Sequence, residues 1–289
     1  MAKLSKQEID RYKRHLVLRE IGGQGQQKFK AARVLVVGAG GLGSPVLMYL
    51  AAAGIGTIGV IDDDRVSLDN LQRQIAHDTP SVGALKVESA RQTLKRLNPH
   101  VVVETHAQRL EAGNALDIIS RYDVVADGSD NFRTRYLVSD ACYLAGKTLV
   151  FAAVGPFDGY LTTLKPHLKD AHGKPYPSYR CLFPEAPAPE TVLNCAEVGV
   201  LGSVVGVIGT LQATEVLKEI AEVGDSLAGR LLVYNALAGR FDEIRYEWDP
   251  RNPLSGVEPS IRDLSLHTEA SIECRAAEPG WPSAGAQSA

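Results

Sequence analysis

The residues with the clearest chemical potential form a glycine-rich turn and an acidic side chain beyond it. Gly38-Ala39-Gly40-Gly41-Leu42-Gly43 has the spacing G-x-G-x-x-G after one hydrophobic run, and Asp62 ends the next run about twenty residues on. Glycines at this spacing let backbone N–H groups approach a phosphate at a helix N-terminus, and the carboxylate can accept hydrogen bonds from ribose hydroxyls. The pattern predicts a nucleotide site and leaves NAD, FAD and ATP open. The alternative is that the glycines serve only a tight strand–helix turn.

Further polar residues lie close to the ends of predicted strands. They are Asp69, Asn70 and Arg73 in the run LDNLQRQ, Lys86 at the start of a predicted helix, and Asp130 and Asn131 after a later strand. Arginine offers a rigid fork to phosphate oxygens, lysine offers a point charge, and a carboxylate can hold the magnesium ion that bridges phosphates. Hydride transfer to NAD needs none of these, and it would need a substrate-side acid or base that the sequence does not signal. The set therefore favours polyphosphate chemistry.

Taken singly, each of these charged residues has an ordinary interpretation. Arg11 and Arg14 lie three apart on one face of the first predicted helix, where arginines usually face solvent. Lys86 could be a surface lysine, and Asp63-Asp64 could be solvated turn residues. Asp130 could be the N-cap of the following helix. Only their combination at strand ends indicates a site.

The elements that must position these residues alternate between strand and helix. Ser5 and Glu8 form a capping box for a first helix that should run to about Val17, and Gly22–Gly25 is predicted as a turn before a short basic helix. Strands are predicted at RVLVV, TIGVI, VVVETH, YDVVA and KTLVFAAV, with helices after the glycine turn and over about 83–97 and 131–145. This alternation predicts an α/β fold with a Rossmann-like, doubly wound, mainly parallel sheet and N-terminal helices.

The pattern changes after Val154. DGYLTTL is predicted to pair back onto the sheet, a polar, proline-rich stretch follows over about 165–189, and a long apolar helix is predicted over about 198–221. RLLVYNAL and RFDEIRYEW then complete an antiparallel C-terminal extension of the sheet. We expect one domain over 1–249, with a nucleotide-binding half at 1–154 and a second half at 155–249, and a partly disordered tail at 250–289.

Composition excludes several classes of protein. The 289 residues are 45% hydrophobic and 22% charged, which fits a globular chain rather than a disordered one. A net charge of -3 argues against nucleic acid or an anionic membrane as a partner. Four cysteines are too few for a disulfide framework, and the N-terminus has no secretory signal, so we expect a cytoplasmic location. The uncharged stretch Val34–Ile61 is long enough to span a bilayer, but its many glycines favour a strand–turn–helix–strand interpretation.

Two longer runs carry a family resemblance. They are RYKRHLVLREIGGQGQQKFKAARVLVVGAGGLGSPVLMYLAAAGIGTIGVIDDDRVSLDNLQRQ and DGSDNFRTRY. Over about residues 5–248 the chain resembles the ubiquitin-activating-like adenylyltransferases of the ThiF/MoeB/HesA family, and especially the molybdopterin-synthase adenylyltransferases. The resemblance implies a homodimer that binds ATP and Mg²⁺. It also implies adenylylation of the C-terminal glycine carboxylate of a small ubiquitin-fold sulfur carrier ending in Gly-Gly, with release of pyrophosphate and with 155–249 as the carrier-binding half.

The resemblance also implies roles for individual residues. It places Gly38, Gly40, Gly41 and Gly43 in the phosphate-facing turn, Asp62 at the ribose, Asp69, Asn70, Arg73 and Lys86 around the phosphates, and Asp130 at the magnesium ion beside Asn131. Arg14 matches an arginine that reaches the phosphates of the neighbouring subunit. Cys195 matches a position that forms a covalent link in some relatives and is dispensable in others, so a small buried residue is an equal alternative. A carboxylate nucleophile is already ionised at pH 7 and needs no general base, so none of the seven histidines receives a role.

The cysteines depart from the family pattern. Many relatives hold a structural zinc ion with two C-x-x-C pairs, but this chain has Ser178-Tyr179-Arg180-Cys181 in place of the first pair. Where the second pair would be, LSGVEPS after Asn252-Pro253 contains no cysteine, and Cys274 lies alone further on. One remaining ligand cannot build a tetrahedral site, so we predict no zinc. Cys142 is predicted to lie in the core.

Three other functions remain open. The first is an NAD-dependent oxidoreductase, which rests on the glycine turn and Asp62 alone. The second is a non-catalytic ubiquitin-fold-binding protein, suggested by the missing zinc ligands and by Ser139, where relatives often have asparagine. The third is an enzyme like the tRNA threonylcarbamoyladenosine dehydratases, which the net charge of -3 disfavours.

Overall fold

A computed structural model of the protein describes residues 3–185 and 199–268. Its strands are β1 Arg33–Val37, β2 Thr57–Ile61, β3 Val102–His106, β4 Val124–Asp127, β5 Thr148–Val154, β6 Asp158–Leu164, β7 Arg230–Asn235 and β8 Arg240–Arg245. They form a single eight-stranded sheet in the order β3-β2-β1-β4-β5-β6-β7-β8. β1 to β5 pair in parallel, whereas β6, β7 and β8 are antiparallel to their neighbours. The predicted α/β sheet and its antiparallel extension are therefore confirmed.

Helices cover both faces of this sheet. They are α1 Lys6–Arg11, α2 Lys13–Leu16, α3 Gly22–Ala31, α4 Gly43–Ala53, α5 Lys86–Leu97, α6 Ala115–Ile119, α7 Phe132–Leu144, α8 Tyr179–Leu182 and α9 Gly202–Ala221. β1 shows why two layers form, because Val34 and Val36 join one core cluster while Leu35 joins the other. The first cluster includes α4 and α9 residues such as Leu47 and the second includes α6 and α7 residues. None of the described helices combines the length and the hydropathy needed to cross a membrane.

The sheet order creates a crevice beside β1. The chain builds β1, β2 and β3 outward in one direction and then returns to place β4 on the other side of β1. In such sheets, ligands bind outside the carboxyl ends of the strands at the point where the order reverses. The ends of β1, β2 and β4, at residues 37, 61 and 127, therefore surround the expected site.

Two predictions about the N-terminal segment were wrong. The capping box exists, since the Glu8 N–H donates to Ser5 Oγ at 3.2 Å, but the expected single helix is broken at Tyr12 into α1 and α2. Tyr12 is buried, and its hydroxyl accepts a hydrogen bond from Asn98 Nδ2 at 2.8 Å. Arg11 and Arg14 therefore belong to separate helices rather than to one helical face.

The expected turn at residues 22–25 is the start of α3 instead. Gly25 packs closely under Ile21, and the buried Gln26 donates through Nε2 to the Ala53 carbonyl at 2.8 Å. The local packing on Ile21 and the long-range hydrogen bond to Ala53 outweigh the low helix propensity of glycine. The two longer helices expected from about 83 and 198 begin at Lys86 and Gly202.

The segment after β8 is tied to the body of the protein as far as residue 268. Leu254 is fully buried, and Asn252 and His267 are also buried. Asn252 Nδ2 donates to Ser178 Oγ at 2.8 Å and to Cys181 Sγ at 3.0 Å, which joins this segment to α8. The expectation of a disordered end, over the last dozen residues, lies outside the described residues.

Candidate functional site

A cavity of about 200 Å³ opens at the carboxyl ends of β1, β2 and β4. The predicted site residues that line it are Gly38, Gly40, Gly41, Asp62, Arg73, Lys86, Asp130 and Asn131. Asp63 and Asp64 also line it, although the sequence offered them as solvated turn residues. The fold therefore brings together in one cavity predicted site residues that are up to 93 positions apart in the chain, from Gly38 to Asn131.

The glycine turn is closely packed at Gly38 and Gly43, and between them some backbone N–H groups have no hydrogen bond among the described residues. Gly38 has φ of 89°, a left-handed conformation that favours glycine. A Cβ on Gly43 would lie 1.9 Å from the Gly38 carbonyl oxygen, so that glycine permits close packing of α4 on the turn and does not line the cavity. Among the described residues, no backbone hydrogen bond uses the N–H of Gly40 or Gly41. These two groups are available to an anion at the start of α4.

Asp62 is oriented by backbone donors. The Ala39 N–H donates to Oδ2 at 2.7 Å and the Asp64 N–H donates to Oδ1 at 2.8 Å. Burial raises the pKa of this carboxyl group, while the charge of Lys86 and the two backbone hydrogen bonds act in the opposite direction. Each carboxylate oxygen keeps a lone pair for a further donor such as a ribose hydroxyl.

The carbonyl group of Ala39 is held by a hydrogen bond from His77, a residue to which the sequence assigned no role. The Ala39 carbonyl lies 2.8 Å from Nε2 of the buried His77, and the other ring nitrogen lies 2.9 Å from Ser89 Oγ. A carbonyl can only accept, so Nε2 carries the proton and Nδ1 of a neutral ring accepts from the serine hydroxyl. Burial, the largest cause, lowers the pKa of His77 and favours that neutral ring. No sequence motif signals this role, because it depends on a contact 38 positions away.

Lys86, the first residue of α5, is held by an acidic neighbour. Its ammonium group is buried and lies 2.7 Å from Asp64 Oδ2, while its backbone N–H donates to the Asp64 carbonyl at 2.9 Å. Asp64 is exposed, with 67% of its side chain accessible, so this pairing does not close the cavity. A phosphate could replace Asp64 as the partner of Lys86 without moving the lysine.

Asp130 is not the N-cap of α7, which was the alternative interpretation of this residue from sequence. Asn131, not Asp130, is the N-cap of α7, since its Oδ1 accepts from the Thr134 N–H at 2.9 Å. Asp130 is exposed, and within the described part of the chain its carboxylate has one hydrogen bond, from Asn131 Nδ2 at 3.4 Å. Its oxygens are therefore available to a cation in the cavity.

Some of the predicted residues lie elsewhere. Asp69 and Asn70 belong to a 3₁₀ turn at Leu68–Asn70 and do not line the cavity, because their side chains are directed to Ser67. Arg14 is exposed on α2 and does not line the cavity of its own chain. Cys195 lies outside the described residues, as does Cys274, whereas Cys142 is buried in the core as predicted.

Comparison with known proteins gives consistent results. The model of the ThiF family matches residues 12–255. A sulfur carrier protein adenylyltransferase from Thermus thermophilus is 48% identical over 260 residues, which cover 90% of this chain and 95% of that relative. The adenylyltransferase and sulfurtransferase MOCS3 from Bos taurus is 49% identical over 280 residues, or 95% of this chain, and the chain spans 60% of its length.

Solved structures support the fold as well. Escherichia coli MccB, crystallised with selenomethionyl MccA, superimposes with a TM-score of 0.74 at 22% sequence identity, over 87% of this chain and 75% of that one. Likeness at this identity shows that the two chains share the Rossmann-like fold.

Proposed function

The chain belongs to the ThiF family, and we propose that it uses ATP to adenylylate the C-terminal glycine carboxylate of a small ubiquitin-like sulfur-carrier protein, of the MoaD or ThiS kind. The observation that carries this proposal is one cavity that gathers the free glycine N–H groups, Arg73, Lys86 and Asp130. Two relatives at 48% and 49% identity are named adenylyltransferases, the first of a sulfur carrier protein. A nicotinamide enzyme would have no use for this set of charges.

The proposed chemistry needs alignment and charge neutralisation rather than an acid or base. A carboxylate oxygen of the carrier forms a bond to the α-phosphorus, and the bridging P–O bond breaks with its electron pair leaving on pyrophosphate. No proton moves, because the carboxylate is already ionised at pH 7. The N–H groups of Gly40 and Gly41, together with Lys86 and Arg73, would stabilise charge on the phosphates.

Asp130 fits the requirements of a magnesium ligand. Its exposed carboxylate faces the cavity and has only one weak hydrogen bond among the described residues. Mg²⁺ prefers one or two carboxylates together with phosphate oxygens, and it would supply charge neutralisation there. Asn131, which caps α7, would keep the Asp130 backbone in place.

The remaining Ser178, Cys181 and Asn252 do not fit a zinc ion. Asn252 directs its Nδ2 donor at the sulfur of Cys181, and serine and asparagine offer no thiolate or imidazole. We therefore expect the purified protein to hold no stoichiometric zinc.

We also propose a homodimer in which Arg14 reaches the cavity of the neighbouring subunit. Its exposed position away from its own cavity supports this arrangement. Inactive Arg14→Ala and Lys86→Ala variants, mixed and allowed to exchange subunits, should recover about a quarter of wild-type activity, because half of the dimers then hold one intact site. No recovery in a mixture that has exchanged subunits would place Arg14 outside the partner's site.

Intact-mass measurement tests the activity itself. The protein is mixed with ATP, Mg²⁺ and candidate carriers that end in Gly-Gly, and we expect the matching carrier to gain the mass of one adenylyl group, which is AMP less one water. A carrier with a C-terminal carboxamide is the control and should gain nothing. Nicotinamide dinucleotide binding in preference to ATP, with no carrier modified, would favour the oxidoreductase instead. The same experiment would reveal a covalent link through Cys195.

A further inference from the structure

Three described residues that line the cavity have a buried side-chain polar atom without a hydrogen bond, namely Gln74, Ser129 and Arg135. Eight such side-chain atoms occur among the described residues, and four of them are Asp127 Oδ2, Ser129 Oγ, Arg135 Nε and Tyr179 Oη. Asp127 ends β4, Arg135 is in the first turns of α7 and Tyr179 begins α8. These residues interact with one another, Asp127 with Ser129 and Arg135 with Tyr179, but none of the four atoms has a hydrogen bond of good geometry. Native proteins pair almost all buried polar atoms, so donors left in this state are available to a ligand.

Arg135 is the charged member of this group that lines the cavity. It is 9% exposed, and its one hydrogen bond among the described residues is a long one, from Nη2 to the Ser129 carbonyl at 3.5 Å. The guanidinium carbon lies 5.1 Å from the centre of the Phe132 ring and 5.7 Å from that of Phe151. The rings hold the side chain in place without satisfying its donors.

Asp127 does not supply the missing partner. It is fully buried, and burial, the largest cause, raises the pKa of its carboxyl group. Its Oδ1 accepts the Ser129 N–H at 2.9 Å, and the nearby charge of Arg135 acts against the rise in its pKa. Among the described residues, however, the two side chains form no hydrogen bond with each other. Arg135 therefore keeps a positive charge whose donors no carboxylate among the described residues accepts.

The sheet order separates Arg135 from the other cations of the cavity. Lys86 and Arg73 follow β2 in the chain and lie near the glycine turn, whereas Arg135 follows β4, on the opposite side of β1. A single nucleotide accounts for the first group. Adenylylation, however, requires a second anion to approach a polyphosphate, and two anions repel unless a separate cation holds one of them.

We propose that Arg135 binds the C-terminal carboxylate of the carrier and holds it beside the α-phosphate. This rests on the proposed adenylylation, and it adds the group that recognises the nucleophile. The guanidinium fork can donate two parallel hydrogen bonds to the carboxylate, with Tyr179 Oη, whose side chain interacts with Arg135, as a further donor. One carboxylate oxygen then forms the bond to phosphorus while Arg135 keeps its proton throughout.

The test compares two ligands on each protein variant. Binding of a Gly-Gly carrier with a free C-terminal carboxylate, and of the same carrier with a carboxamide, is measured in the presence of a non-hydrolysable ATP analogue and Mg²⁺. We expect the wild type to prefer the carboxylate by about ten- to a hundredfold. In Arg135→Gln this preference should vanish, while the affinity for the ATP analogue and the melting temperature change little. Arg133→Gln, an exposed change on the same helix, should keep the full preference.

Arg135→Lys keeps the charge but loses the fork, so it should retain only part of the preference, and it serves as the test if the glutamine variant does not fold. A full carboxylate preference in either Arg135 variant would overturn the inference while leaving adenylylation intact. An equal loss of ATP-analogue binding would overturn it as well, since the residue would then serve the nucleotide. If the wild type adenylylates no carrier, the proposed function fails first and the inference fails with it.

Discussion

Two polar clusters on the same helix differ in how fully their hydrogen bonds are satisfied. In the second half of α7, Asp140 is fully buried, and Arg180 donates to its two oxygens at 2.9 and 2.7 Å while His267 Nε2 lies 2.8 Å from Oδ2. We call Asp140, Arg180 and His267 the anchor cluster. At the start of α7, Arg135 has an unpaired Nε and Asp130 has one weak hydrogen bond.

This difference indicates that the anchor cluster stabilises the fold, whereas the cavity residues serve activity. In the anchor cluster both carboxylate oxygens of Asp140 are paired within the protein, and these contacts tie α7, α8 and the segment to residue 268 together. The cavity keeps donors and charges in reserve, which costs stability and is useful only if a ligand satisfies them. Changes in the anchor cluster should therefore affect unfolding, and changes in the cavity should affect turnover.

Asp140→Ala should produce the largest effect. It leaves Arg180 and His267 buried without their carboxylate, and breaking such a pair costs about 3–5 kcal/mol of unfolding free energy. Urea unfolding measures the loss, with the exposed Asp117→Ala as the matched control. Turnover of the folded fraction should stay near that of the wild type. A variant that keeps its stability but loses activity would contradict the assignment of this cluster to structure.

Lys86→Ala should lower activity strongly and change stability little, the reverse of Asp140→Ala. Removing a cation that stabilises charge in the transition state should lower kcat/KM for adenylylation about 10²- to 10³-fold, roughly 3–4 kcal/mol, with a small effect on stability. Lys95→Ala, an exposed lysine on α5, is the control and should be active. Unchanged kcat/KM in Lys86→Ala would remove the lysine from the proposed mechanism.

His77 is buried but holds the glycine turn of the cavity, and its replacement should have a moderate, pH-dependent effect on the free energy of unfolding. Burial lowers the pKa of His77 from its ordinary value of 6.5, so the folded state favours the neutral ring. The unfolded chain binds a proton below about pH 6.5 before the folded chain does, so the stability contributed by His77 is present above that pH and is lost as the pH falls. Urea unfolding between pH 5 and 8 should therefore be less pH-dependent in His77→Gln than in the wild type. Identical pH profiles would show that His77 contributes nothing to this dependence.

Treatment with a metal chelator should have the smallest effect, because we expect the protein to hold no zinc. Because Asn252 donates to Ser178 and Cys181, the junction between α8 and the C-terminal segment is held by hydrogen bonds. Dialysis against a strong chelator should leave the melting temperature unchanged, and metal analysis should find far less than one zinc per chain. A stoichiometric zinc ion, or a large fall in melting temperature after chelation, would disprove this expectation.

The cavity was more predictable from sequence than the anchor cluster. Asp62 and Asp130 end or follow hydrophobic strands, and strand ends in a doubly wound sheet converge, so local pattern was sufficient to group them. Asp140 and His267 meet across 127 positions, and no local pattern signals that contact. Arg135 was overlooked for the same reason, since its burial against Phe151 depends on the packing of α7 on β5.

Errors arose where tertiary contacts or local hydrogen bonds decided the outcome. Gly22–Gly25 was predicted as a turn from composition, yet the buried Gln26 and the packing of Gly25 make it helical. The roles of Asp69 and Asn70 around the phosphates stay predictions, although their side chains are directed to Ser67 in a 3₁₀ turn. The alternative interpretation of Asp130 as the N-cap of α7 was wrong, because Asn131 Oδ1 accepts the hydrogen bond from the Thr134 N–H.

Pyrophosphate exchange tests the central claim most directly. Labelled pyrophosphate is added to the protein with ATP, Mg²⁺ and a Gly-Gly carrier, and incorporation of label into ATP reports reversible adenylylation at the cavity. We predict exchange that requires the carrier's free carboxylate and that Asp130→Ala abolishes while the protein remains folded. Exchange that continues in Asp130→Ala, or that ignores the carrier's carboxylate, would contradict the assignment of this cavity as the adenylylation site.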